Sequence, residues 1–295
     1  MYTVKELIDI LINVRKLPTL SPIALMLMHS LNEEEPDVQR ISKIISEDPP
    51  TAGMILKLAN SAMYGARRTI STVQDAVVRL GFDEIRKLVI DITMVNYLSS
   101  LPESVLDPGD FWKHSIGVAF CMEEIQLRTR LLDKDGSMSH AVGLLHDIGR
   151  LITATHMPEV HQQFSEDSSG INSAETVIMW EKEVIGLDHT QIGAAVFECW
   201  GLPEEIVSGV RYHHQPDISP KPRRKSSYLV HVADIICRKS GFGSVGEGLI
   251  GEIEESLWNK LGVPSAIADE VIESVKEKVK KSEVLLSIGG LKKQQ

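Results

Sequence analysis

The 295-residue sequence predicts an all-α protein, and three observations carry the prediction. Apolar residues recur at three- and four-residue spacing along nearly the whole chain. No segment alternates apolar and polar residues with β-branched enrichment over the length of a strand. Aromatic residues are only 5% of the chain, so Leu, Ile, Val, Ala and Met supply the apolar surface, as where helices pack on helices. The length suits two domains and leaves room for a substantial core.

The first expected helix carries the stripe Leu7, Ile8, Leu11 and Ile12 and is closed off by Pro18. Helices follow at about 21–31, 37–47, 50–63, 71–80 and 83–99, punctuated by Pro36, Gly65 and Gly81. The stretch LPESVLDPGDF, rich in Pro, Gly and acids, marks a boundary. It separates an N-terminal helical bundle, residues 1–105, from the C-terminal helical bundle on which it packs, residues 106–295. In the second half a long helix runs through His114, and one from about 137 to 156 contains GLLHDIGRL. Asp188 is an N-cap with Gln191 as its capping-box partner, which puts His189 at the start of a helix ending at Gly201. Pro203, Glu204 and Glu205 open the next helix, which runs to His213 and His214 and stops before Pro216.

The loop ISPKPRRKSS leads into a helix carrying Asp234, and a last amphipathic helix spans about 265–288. Its lysines, Lys276, Lys278, Lys280 and Lys281, read as a solvated face. Gly241, Gly243 and Gly246 have the GxGxxG spacing. They follow a helix, where a dinucleotide loop follows a strand, so the 241–248 segment reads as a flexible connector.

A net charge of −10 argues against nucleic acid as the main partner, because neutralising phosphates needs a basic surface. Cys121, Cys199 and Cys237 lie far apart, without CxxC spacing, and read as buried packing residues in a reducing compartment. The N-terminal residues lack a signal-peptide pattern and no apolar run spans a bilayer, so no membrane association and a cytoplasmic location are expected.

Seven residues carry the chemistry: His114, the pair His146 and Asp147, His189, the pair His213 and His214, and Asp234. Neutral imidazoles suit first-row transition metals, and an aspartate can span two of them while offsetting their charge. The set is expected to hold two ions. His114, His146 and Asp234 serve the first, His189, His213 and His214 the second, and Asp147 reaches both. Two such ions can activate water for an in-line displacement at phosphorus. Arg150, one turn from His146, is placed to hold a phosphate oxygen, and with Asp147 it is the expected catalytic pair. His29, His140, His156, His161 and His231 read as surface or hydrogen-bonded core residues. Glu183 and Asp188 read as a solvated helix end and a cap. Arg223, Arg224 and Lys225 read as a solvated basic loop near the expected mouth of the site.

The ordered series resembles the HD superfamily of metal-dependent phosphohydrolases, and within it the HD-GYP branch, whose members hydrolyse cyclic dinucleotides at a two- or three-metal centre. The chain departs from that branch after the paired histidines, where HHQPDISPKP replaces the Gly-Tyr-Pro signature, and at Arg150, where lysine is usual. The N-terminal half, with LPTLSP at 17–22, ISEDPPTAGMILKLANSAMYG at 45–65 and ISTVQDAVVRLGFDEIRKLVI after it, is similar to the HDOD domain, the HD-related output domain of bacterial signalling proteins. The resemblance covers most of residues 15–240. It implies a cytoplasmic bacterial signalling protein whose partner is a signalling protein or a nucleotide. It also implies iron or manganese as the divalent metal, though the donors suit zinc or nickel as well. The first functional reading is thus a regulatory output module with a retained di-metal site. The alternative is a metal-dependent phosphohydrolase or phosphodiesterase acting on a nucleotide or cyclic dinucleotide. A purely structural helical protein is a third reading, and under it His114, His189 and Asp234 diverge in space.

Overall fold

The computed structural model describes residues 22–31, 33, 35–61, 64–65, 69–99, 101, 107–132, 136–160, 163, 174–243 and 253–288. Among them the regular structure is helical, with no strand. None of these helices is long and apolar enough to cross a membrane. The expected first helix, with Leu7 to Ile12, lies outside the described residues.

The chain divides after Ser100: the described residues up to that point and those from Lys281 onward form one compact unit, and Leu101–Lys280 form the second. The boundary expected at 105/106 falls within residues 102–106, which are outside the described residues.

The first unit contains α1 (Pro22–Leu31), α2 (Val38–Ser46), α3 (Pro49–Ala59), α4 (Val73–Leu80) and α5 (Phe82–Ser99). Helix α2 starts where the Asp37 carboxylate accepts the Arg40 N–H, and it buries Ile41, Ile44 and Ile45 on one face. Pro49 and Pro50 open α3 after Asp48, where their missing N–H groups cost nothing. That helix stops at Ala59, short of the expected 63, because Asn60 diverts the chain. Its amide donates to the carbonyls of Leu56 and Ile70 and accepts from the Ile70 N–H, each at 2.8 Å, tying the helix end to a segment ten residues on.

The second unit is built around α6 (Pro108–Thr129), which is buried on all sides from Phe111 to Gln126 except at Lys113. Asp107 caps it by accepting the N–H groups of Gly109 and Asp110. Around it lie α7 (Gly136–Leu145), α8 (Ile148–His156), α9 (Ala174–Val184), α10 (His189–Cys199), α11 (Glu204–Tyr212), α12 (Arg224–Lys239), α13 (Glu255–Leu261) and the N-terminal part of α14 (Ala268–Ile288).

Four features differ from the sequence expectation. The helix expected over 137–156 is two helices, broken at His146 and Asp147, where Asp147 takes a non-helical φ of −97° and ψ of 14°. Just past the break a β-carbon on Gly149 would lie 1.9 Å from the His189 carbonyl oxygen, so α8 approaches the start of α10 more closely than any side chain allows. The sequence reading gives no bounds for α9 or α13: α13 has only seven residues, too short to show a period, whereas α9 carries Val177, Ile178 and Val184 at helical spacing and only its end near Glu183 was read. Cys199 is exposed in the last turn of α10, whereas Cys121 and Cys237 are buried as expected.

The last difference lies in the glycine-rich segment, which does not begin as a loose connector. Phe242 is buried against Gly117 of α6, and Gly243, at φ +72°, sits so close to α6 that a β-carbon would meet the Asp110 oxygen at 2.1 Å. Residues 244–248 lie outside the described residues.

Candidate metal centre

All seven predicted side chains converge inside the second unit, each brought by a helix or a helix end. His114 projects from α6, His146 and Asp147 from the joint between α7 and α8, and His189 from the first position of α10. His213 and His214 follow the last turn of α11, and Asp234 lies on α12. The capping box at Asp188 and Gln191 fixes where α10 begins, and with it the position of His189.

The donor atoms form two groups, within each of which all lie within 4.8 Å of one another: His114, His146 and Asp234, and Asp147, His189, His213 and His214. In the first, His114 Nε2 is 3.3 Å from His146 Nε2 and 3.3 Å from Asp234 Oδ1. In the second, His189 Nε2 is 3.4 Å from His213 Nε2 and 3.1 Å from His214 Nε2. Asp147 faces both. Its Oδ2 lies 3.4 Å from His146 Nε2 and 3.9 Å from His114 Nε2, and its Oδ1 lies 3.3 Å from His189 Nε2 and 3.7 Å from His213 Nε2.

These spacings are the edges of coordination polyhedra. Two donors about 2.1 Å from one ion sit roughly 3.0–3.4 Å apart, depending on the angle between them. The proton placement agrees. His146 Nδ1 bonds the Gly143 carbonyl at 2.7 Å, His213 Nδ1 the Val210 carbonyl at 2.7 Å, and His189 Nδ1 the Glu181 carboxylate at 2.6 Å. An acceptor at Nδ1 fixes the proton there and leaves the Nε2 lone pair pointing inward. Lone pairs gathered at such distances repel one another unless a cation lies among them. His114 Nδ1 has no hydrogen-bond partner among the described residues.

The electrostatics fit a cation as well. Burial alone would raise Asp147, but His146 and Arg150 more than offset it and hold its carboxyl well below the usual range. Asp234 is likewise held well below, with Arg238 and His114 outweighing burial. Burial and then neighbouring imidazoles push His213 and His214 far down. At neutral pH the centre therefore presents ionised carboxylates and uncharged His213 and His214, the protonation states that bind a metal. His146 differs, burial lowering it but Asp147 more than offsetting that and pushing it up, so an ion there would displace its proton.

Three supporting residues have no place in the sequence reading of the site. Glu181 of α9 accepts both the His189 backbone N–H at 2.9 Å and its Nδ1–H at 2.6 Å. Three and four residues after Ile178 and Val177, it shares their buried face, a signal available in the sequence; Glu183, read as a solvated helix end, is exposed. Arg238, one turn after Asp234, pairs with Asp234 Oδ2 and leaves Oδ1 turned toward His114. His231 Nδ1 bonds the His213 carbonyl at 2.6 Å.

Arg150 is buried, and its Nε donates to Asp147 Oδ1 at 3.2 Å, so its partner there is a protein carboxylate. Arg223, Arg224 and Lys225 are not at the mouth of the centre: Arg224 starts α12 ten residues before Asp234, roughly 15 Å away along the axis. Among the histidines read as bystanders, His29 is exposed, His140 is buried 3.3 Å from Glu123, and His161 lies outside the described residues.

Fold and site together define an all-helical protein of the HD type, with a paired His and Asp cluster in its second unit. The model of the HDOD domain matches residues 17–216, and the chain belongs to the HDOD family. An uncharacterized protein of Treponema pallidum (strain Nichols) is 26% identical over 209 residues, 70% of this chain but 39% of its own, so the chain spans well under half of that relative. Among solved structures, a candidate phosphohydrolase from Shewanella amazonensis SB2B matches with a TM-score of 0.68 and 25% identity, covering 97% of each chain. A candidate signal transduction protein from Marinobacter aquaeolei VT8 matches with a TM-score of 0.70 and 19% identity, covering 92% of this chain and 59% of its own. At that identity the second likeness is one of fold alone.

Proposed function

We propose that this chain is an HDOD output module of bacterial signal transduction that holds two divalent transition-metal ions and acts by regulated binding of a signalling protein or a nucleotide. The observation that carries the metal part is Asp147, which turns one carboxylate oxygen to each donor group. In this reading His114, His146 and Asp234 hold one ion, His189, His213 and His214 the other, and Asp147 joins them. Arg150 then acts as a positioning residue, fixing Asp147 Oδ1. Glu181, Gly143 and Val210 keep the imidazoles in the binding tautomer. The signalling part rests on family membership. Elemental analysis of protein purified without added metal tests the centre: about two equivalents of iron or manganese are expected by family likeness, and nitrogen and oxygen donors suit zinc or nickel equally. Less than one equivalent after loading with each of these metals rejects it.

A second reading, a metal-dependent phosphodiesterase acting on a nucleotide or cyclic dinucleotide, is favoured by the same bridging carboxylate and by the name of the Shewanella neighbour. Ions so held supply charge to a phosphate and activate a water. The chain's own part is to fix their separation through Asp147. Assays of metal-replete protein against cyclic dinucleotides and a generic phosphodiester separate the readings. Metal without turnover supports the output module; turnover abolished by Asp147→Ala with the fold retained supports the enzyme.

A further inference from the structure

A cavity of about 290 Å³ lies near the start of α12, at the far end of that helix from Asp234, and none of the seven metal-site residues is among its lining residues. Leu131 and Leu132, just past α6, and Met138 and Val142 of α7 give it an apolar wall. Its polar side is built differently. Ser139 lines the cavity, is only 3% exposed, and makes no hydrogen bond among the described residues. Its hydroxyl, which can donate and accept, is thus open to a ligand entering the cavity.

The charge beside it is positive. Arg223 is paired with Glu205 at 2.7 Å, so those two lining residues offset each other. Lys225, on the same wall, is exposed and has no ion pair among the described residues. Arg223, Lys225 and Ser226 are the N-cap and first turn of the 16-residue helix α12, which no side chain caps. The Arg223 and Arg224 N–H groups bond the Pro220 and Lys221 carbonyls, so it is the next N–H groups, at Lys225 and Ser226, and the positive end of the dipole that add to Lys225.

We propose that this cavity binds a small amphipathic anion, a carboxylate or phosphate monoester carrying a short apolar body. The head meets Ser139, Lys225 and the start of α12, and the body lies against Leu131, Leu132, Met138 and Val142. At roughly 30 Å³ for each water-sized group, the space takes on the order of ten non-hydrogen atoms, the size of octanoate. The proposal is independent of the metal centre and stands or falls without it.

Titration of the full chain with octanoate and octyl phosphate, followed by calorimetry and amide NMR, tests it, with octanol and acetate as probes of each half of the ligand. At least one of the two anions is expected to saturate a single site and to bind at least tenfold tighter than octanol or acetate. Lys225→Glu, at an exposed position, is expected to weaken that anion at least tenfold with an unchanged melting temperature, and Ser139→Ala to weaken it several-fold. Failure of both anions to saturate, octanol binding as tightly as the anions, or indifference to Lys225→Glu each overturns the proposal.

Discussion

Replacing Glu181 isolates one half of the metal centre. This residue touches neither group of inward-facing donors; it holds His189 from behind, taking its backbone N–H and its Nδ1–H on a single carboxylate oxygen. Outer partners of this kind are typically worth about 10- to 100-fold in metal affinity. Glu181→Gln keeps an amide oxygen able to accept both bonds and loses only the charge, so about tenfold weakening is expected, roughly 1.4 kcal/mol. Glu181→Ala removes the acceptor altogether and leaves a buried backbone N–H unpaired. It should approach 100-fold and cost about 1–3 kcal/mol of folding stability besides. On the two-ion proposal the effect is confined to the ion that His189, His213 and His214 would hold, since Glu181 makes no hydrogen bond or ion pair with His114, His146 or Asp234. Chelator competition on the metal-loaded protein reads this as one ion lost early and one retained. Equal weakening of both ions, or of neither, refutes the argument.

Three further outcomes follow from the geometry. Gly149→Ala places a β-carbon 1.9 Å from the His189 carbonyl oxygen, so α8 and α10 must part; a loss of about 1–3 kcal/mol or more is expected in urea unfolding, with reduced metal content. Asn60→Ala removes three hydrogen bonds in the other unit, and should lower the melting temperature while leaving bound metal per chain unchanged. Burial alone would raise Glu124, but Lys278 and Arg128 outweigh it, so its folded value lies below the ordinary 4.5. Its contribution is therefore present above that value and lost as pH falls through the folded one. Glu124→Gln should lower stability at pH 7 and flatten the decline below about pH 5, measured as urea midpoints against pH.

The site was more legible in the sequence than the path of the chain through it. His and Asp are few, and their order along helices singled out the seven side chains that, among the described residues, gather in two groups with Asp147 between them. What the sequence did not disclose is set by packing between segments far apart. Periodicity carries straight through GLLHDIGRL, yet the chain breaks there, because Gly149 lies against the backbone of His189 forty residues on. Glu181 falls on the apolar face of its helix with Val177 and Ile178, but nothing in the sequence says that His189 lies opposite it. For Arg150, expected to hold a phosphate oxygen, the structure adds a contact that spacing alone does not give: its Nε donates to Asp147 Oδ1, three residues back. Gly243 reads as slack in a linker, yet it lies so close to α6 that a β-carbon there would meet the Asp110 oxygen.

The placement of Asp147 at the joint of α7 and α8 has a mechanical corollary. A carboxylate midway along one rigid rod would only report on that rod; at an elbow, it is moved by every change in the angle between the two segments. Its Oδ1 lies near His189 and its Oδ2 near His114, so flexing the elbow would change both distances at once, and ions held there as proposed would resist it.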